Sequence, residues 1–325
     1  MTAIPWRRLL SLLSALIVLA IVAVVATLPD LSQELAQSAR MISPMAVLVM
    51  LPVQIMTFLL CAGALSALQP GVSFRYCLAS RVLRDAGGNL LVFFPGLGEA
   101  IGARALVLAG GQTRAAITAS TLDVLAEGLA QVPYGILAVA VVPELIGASE
   151  VRGDWIVDHL PVAAAVIALL GAIILLCRAM MRARGGMLDR LVRRLRAEIA
   201  QIRADWASRR RGMAIAIALH FLAWALDGFQ LWLAARVLGI PLDLFEAVVV
   251  QSAAYAVRAV IFFVPAGLAV QEAALVVACE AFGINMVDAL ALALVLRLRD
   301  VVSGLPLLGW PLLEYRYRAR LRAQG

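Results

Sequence analysis

The chain has 325 residues, 63% of them hydrophobic and 15% charged, and its mean hydropathy is +0.94. A water-soluble domain could not hide that much apolar surface, so the composition excludes a soluble globular protein and points to a polytopic membrane protein. All 28 basic residues are arginine and the formal net charge is +7, but the charge is distributed by topology and does not read as nucleic-acid binding.

Apolar windows long enough to cross a roughly 30 Å hydrocarbon core lie near residues 9–28, 44–68, 115–142, 160–177, 212–235 and 286–313. A barrel would need many short alternating strands and none is visible, so the fold class is an all-α membrane helical bundle. The first window, in "PWRRLLSLLSALIVLAIVAVVATLPD", has the basic start of a signal peptide. Its apolar stretch of 19 residues exceeds a signal core, which favours an uncleaved anchor. Between 29 and 43, and again in "PELIGASEVRGDWIVD" (143–158), acids outnumber arginines, so these segments face outward. By contrast residues 178–211 hold eleven arginines and the chain finishes "EYRYRARLRAQG"; both read as cytoplasmic. The resulting organisation is an anchor helix and outer loop (1–40), a first membrane repeat (41–180), a basic cytoplasmic loop touching anionic lipid (181–211), and a second membrane repeat with a basic tail (212–325).

Two stretches break the pattern of ordinary spans. "FFPGLGEAIGAR" (93–104) and "FFVPAGLAVQEAAL" (262–275) each place a Phe-Phe pair before proline, glycine and a glutamate. Pro95, Gly96 and Gly98 break the first; Pro265 and Gly267 break the second. An intramembrane charge group follows each glutamate: Asp123 and Glu127 in the first half, Arg297, Arg299 and Asp300 in the second. Arg75, Arg81, Arg84 and Arg114 flank the first copy and place its mouth in the cytoplasm, whereas Arg236, Asp243, Glu246 and Asp288 around the second do not. If both stretches are re-entrant hairpins, six full spans remain, both termini are cytoplasmic, and the repeats are inverted. The alternative makes 245–264 and 265–283 ordinary spans and gives eight helices. Gly/Pro-broken segments at matching positions of inverted halves mark a midplane substrate site, because a helix broken inside the membrane leaves backbone groups tolerable only against protein or a watery cavity.

Glu99, Arg104, Asp123, Glu127, Asp227, Arg258, Glu272, Arg297, Arg299 and Asp300 fall in or beside apolar segments, where each charge would cost about 2.5–3.5 kcal/mol facing lipid at a helix centre. Asp227 and Arg236 read as structural charges at a helix end; the others are candidates for a substrate-binding and translocation site. Asp123 and Glu127 share one helical face and call for a cation between them, Arg104 or Arg299. Such arginines can hold a phosphate while lipid tails stay in the bilayer. Cys61, Cys77, Cys177 and Cys279 read as small hydrophobes without a disulfide, and two histidines are too few for an imidazole metal cluster, so neither metal nor cofactor is expected. The chain has no P-loop, no GxSxG and no GxGxxG opening a nucleotide domain. Transport would therefore be gradient-driven or passive.

At these residues, "FFPGLGEAIGARALVLAGGQTRAAITASTLDVLAEGLAQ", "VVVQSAAYAVRAVIFFVPAGLAVQEAALVVACEAFGI" and "ALALVLRLRDVVSGLPLLGW", the sequence resembles the membrane family related to the transmembrane region of lysylphosphatidylglycerol synthases, and more narrowly its hopanoid-biosynthesis-associated branch. The resemblance covers roughly residues 40–313. It implies an integral bacterial inner-membrane protein whose relatives flip aminoacylated phospholipid or act in lipid and hopanoid pathways. Glu99, Arg104, Asp123 and Glu127 match the first-repeat pattern, and Arg258, Glu272 and Arg299 the second. Ala269 and Ala273 stand where glycines are common, which implies a stiffer second hairpin. The soluble aminoacyl-transferase domain of synthase members is not expected here, so lipid-aminoacylating activity is not carried over.

Three functions compete. The first is a non-enzymatic lipid translocator for a hopanoid or an anionic phospholipid-type substrate. The second is an accessory that organises lipid-biosynthesis proteins through the basic loop. The third is a membrane-embedded enzyme with Glu99 and Glu272 as acid and base.

Overall fold

The computed structural model describes residues 29–91, 96–147, 197, 200–260 and 267–324. Among the described residues every regular element is helical: α1 (Pro29–Met41), α2 (Pro44–Leu68), α3 (Phe74–Leu90), α4 (Leu97–Leu108), α5 (Thr113–Gly147), α6 (Arg210–Leu238), α7 (Leu244–Val260), α8 (Gly267–Ala281), α9 (Met286–Gly304), a 3-10 turn (Leu305–Gly309) and α10 (Trp310–Gln324). Two units are distinct. One comprises residues 1–141 with 211–325, and the other residues 142–210, where the described part includes the helical run 200–208. The expected windows at 9–28 and 160–177, and most of the basic loop, lie outside the described residues.

The window expected at 44–68 is one helix, α2, which with α6 is long and apolar enough to cross a membrane. The window at 286–313 is not one helix. It stops at Gly304 and passes into the 3-10 turn, whose first positions hold Pro306; proline has no N–H to continue the helical ladder.

Two pairs of short helices separate the long ones. α3 and α4 have 17 and 12 residues and pack on each other; α7 and α8 have 17 and 15 and do the same. At 1.5 Å per residue none of them exceeds about 26 Å, short of a roughly 30 Å core. The chain enters the first pair and leaves it at one place, since Gln69–Ser73 before α3 and Ala109–Gln112 after α4 line the same cleft. The second pair behaves alike: Ile240 and Leu242 ahead of it and Ile284 behind it share one apolar cluster. These two open ends lie at opposite ends of α2. The first adjoins its finish at Leu68, while Ser38, just ahead of its start, donates from Oγ to the Val287 carbonyl at 2.8 Å.

Apolar side chains cover the outer face, and several charges lie within. Leu48, Ile55, Ile136, Ile215 and Leu222 are each more than half exposed, whereas Arg81, Asp123, His220, Gln230, Arg299 and Asp300 are buried. Apolar side chains on the outside and charges on the inside suit a lipid surround and not water.

Candidate functional site

The breaks position the first group of charges. Gly96 caps α4 with φ of +78°, a left-handed conformation that glycine adopts without penalty. Gly98 follows in the first turn, and a Cβ there would lie 2.5 Å from the Arg84 carbonyl oxygen and 2.7 Å from the Gly88 nitrogen. Only a glycine lets α4 come this close to α3. That contact fixes Arg84 beside α5 and sets Glu99, in the same first turn, over the cavity between them.

Arg81 and Arg84 hold the α5 carboxylates together. Arg81 donates from Nη1 to Asp123 at 3.0 Å and from Nη2 to Glu127 at 2.7 Å, while its Nε reaches Asp85 at 3.0 Å. Arg84 donates to the same Asp123 oxygen at 3.0 Å and to Glu127 at 2.7 Å, and its guanidinium lies 3.6 Å from Glu99. His220 of α6 completes the group, with Nε2 2.9 Å from the other Asp123 oxygen and Nδ1 3.7 Å from Cys61 Sγ. Trp224 Nε1 donates to the Glu127 carbonyl at 3.3 Å. The cation expected between Asp123 and Glu127 is thus neither Arg104 nor Arg299. Arg104 turns away to Glu314, at 2.8 and 3.1 Å, with its guanidinium over the Tyr317 ring, and Arg299 is held by Asp300.

The second group gathers on α6 to α9. Arg299 donates to Asp300 at 2.7 Å and to Gln230 at 3.1 Å, and lies 3.9 Å from Asp227. Arg297 donates to Glu272 and, at 3.1 Å, to Asp300. Tyr255 donates to Asp227 at 3.3 Å, so Asp227 belongs to this group. Arg258 donates to the Gln271 side-chain oxygen at 3.2 Å and, among the described residues, has no carboxylate partner.

Both groups face one cavity of about 320 Å³, lined on one side by Arg81, Arg84, Asp85, Glu99 and Glu127 and on the other by Asp227, Tyr255, Arg258, Arg299 and Asp300. Gln54 also lines it, with a buried side-chain oxygen that accepts no hydrogen bond from the described residues. Of the candidates read from the sequence, Glu99, Glu127, Arg258, Arg299 and Asp300 line this space. Asp123 lies beneath it, Arg297 and Glu272 line a smaller cleft beside it, and Arg104 is outside it. Gly267 opens α8, and Pro95 and Pro265 lie outside the described residues.

Asp123, Glu127 and His220 also bring ligand-type atoms within 4.8 Å of one another. Two guanidiniums already bond Asp123 Oδ2 and both Glu127 oxygens, so a divalent metal ion would add two positive charges beside two others.

The arrangement has the character of a membrane-embedded polar chamber, and its family is settled by a match over residues 8–307 to the pattern described as the lysylphosphatidylglycerol synthase TM region. The chain belongs to the lysylphosphatidylglycerol synthase TM-region family. Membership makes it a membrane protein with a lipid-related function, and the part of the family that is matched is its membrane region. Searches among curated proteins and solved structures returned no match. Within this TM-region protein, Arg81, Arg84, Asp85 and His220 are the site residues that sequence reasoning passed over. The i, i+3, i+4 spacing of Arg81, Arg84 and Asp85 on α3 was the available signal.

Proposed function

We propose that the protein moves lipid headgroups across the bacterial inner membrane through this cavity, without chemical change to the lipid, acting on a hopanoid or an anionic phospholipid-type substrate. The observation that carries the reading is the cavity of about 320 Å³ in which charges from both broken halves converge, inside a bundle whose outer face is apolar. A headgroup can occupy a polar chamber of this kind while its tails remain in lipid. Arg258 is the natural phosphate partner, since among the described residues its hydrogen bond goes to the neutral Gln271 side chain and a guanidinium binds phosphate in a fork.

The same reading makes residues 41–180 and 212–325 inverted repeats joined by the basic loop, with both termini cytoplasmic. Each half runs long helix, two short helices, long helix, and the open ends of the short pairs lie at opposite ends of α2. Alternating exposure of a midplane site is the mechanism such repeats support.

The test is lipid movement in reconstituted liposomes with fluorescent phospholipid and hopanoid analogues. Arg258→Ala should slow phosphate-bearing analogues roughly ten- to hundredfold, the worth of a charged hydrogen bond, and Glu99→Gln and Glu272→Gln should also impair movement. Which analogue moves identifies the substrate class. No movement by folded wild type would overturn the reading in favour of an accessory role among lipid-biosynthesis proteins.

A further inference from the structure

The charges on α3 and α5 do not balance. Arg81 and Arg84 stand against Asp85, Asp123 and Glu127, all hydrogen-bonded to one another, which leaves one negative charge in excess. Arg81 is 4% exposed and Asp123 1%, so solvent does little to screen the excess, and an uncompensated charge at such a place is expensive. Counted around the cavity and the cleft beside it the excess remains: Arg81, Arg84, Arg258, Arg297 and Arg299 stand against Asp85, Asp123, Glu127, Asp227, Glu272 and Asp300. Glu99 sits at the cavity mouth with its side chain 45% exposed, where water can solvate it.

A group placed to close this count is His220, with Nε2 2.9 Å from Asp123. Its ring is 1% exposed and reaches from α6 to Asp123 of α5 and Cys61 of α2. Nε2 faces a carboxylate oxygen and therefore carries a hydrogen in either charge state. Nδ1 faces the Cys61 sulfur, which can donate S–H to a neutral ring or accept from a charged one. Both states thus keep their hydrogen bonds, and only the charge changes.

The geometry points to His220 as the binding site of an exchangeable proton, held at Nδ1 and stabilised by Asp123. Given the translocator reading on which this part rests, the proton is also a coupling ion. His220, Arg81 and Arg84 line the cavity together, so an anionic headgroup that draws either arginine off its carboxylates deepens the negative excess and tightens proton binding. By linkage the proton tightens headgroup binding equally, and the two move in the same direction.

The first test is nitrogen NMR on histidine-labelled protein in nanodiscs. His159→Gln leaves His220 as the single labelled ring. We expect the ring to be found both as imidazolium and as a ring protonated at Nε2 alone between pH 5 and 9, with the balance altered in Asp123→Asn. A ring that is neutral throughout from pH 5 to 9, or one indifferent to Asp123→Asn, overturns the proton site. The second test imposes a pH difference on wild-type proteoliposomes loaded with a phospholipid analogue. Accumulation in the leaflet on the alkaline side is expected; movement that ignores the pH difference, or runs against it, overturns the coupling while leaving the translocator intact. If no analogue moves at all, the translocator reading and the coupling fail together, and the NMR result alone decides the proton site.

Discussion

Arg81 donates to Asp85, Asp123 and Glu127 from a position that is 4% exposed, and that makes it unlike Arg104, whose side chain is 37% exposed in its pair with Glu314. Removing one partner of a buried pair strands the others. Arg81→Ala should therefore cost about 3–5 kcal/mol, read as a large fall in melting temperature in detergent. Arg104→Ala breaks a partly solvated pair and should cost about 1 kcal/mol or less, with little change in melting. Equal losses at the two positions would contradict the division into a buried network and a peripheral pair. Arg81 was visible in the sequence only as a topological marker beside Arg75 and Arg84. Positive residues next to a broken segment count toward the cytoplasmic side, and nothing in one sequence tells an arginine that faces water from one that turns inward. Asp123 and Glu127 stood out because carboxylates four apart in an apolar run share one helical face and call for a cation.

At the scale of elements, the α3–α4 pair depends on backbone contact. Gly98→Ala puts a methyl group 2.5 Å from a carbonyl oxygen, and overpacking of this kind costs about 1–3 kcal/mol. Gly135→Ala is the matched control: it sits inside α5 and a Cβ there meets nothing within 4 Å. It should be neutral or stabilising by up to about 1 kcal/mol. Both changes are checked by thermal unfolding, and Gly98→Ala should also impair lipid movement. The elements were unevenly legible. α2 coincides with its apolar window because 44–68 has no charge and its one internal proline, Pro52, does not end the helix. The window at 286–313 concealed a boundary, because Leu305, Leu307 and Leu308 keep the hydropathy high while Pro306 ends the regular ladder.

For the whole molecule, the placement of the open ends predicts which positions share a side of the membrane. Cysteines introduced at Val72 and Gln112, which line one cleft, should react with a membrane-impermeant maleimide from the same side. Cysteines at Asp243 and Asn285, which frame the second pair, should react together from the other side. Labelling of Val72 and Gln112 from opposite sides would mean that the first pair crosses the bilayer once in all and is not a hairpin. Composition alone made the class of the molecule plain. The existence of a chamber was legible from the two broken stretches, but its walls were not, because α3, α5 and α6 come together through residues far apart in the chain: Arg81 with Glu127, Tyr134 with Phe221, Trp224 with Glu127.

Arg84 has a double position. Its carbonyl oxygen lies under Gly98 of α4, and its guanidinium grips Asp123 and Glu127 of α5. One residue is thus both the fulcrum of the broken hairpin and the latch on the charged helix behind it. The α3–α4 contact and the α3–α5 contact are therefore set by the same stretch of α3, and a change at Gly98 is expected to be felt at Asp123 and Glu127.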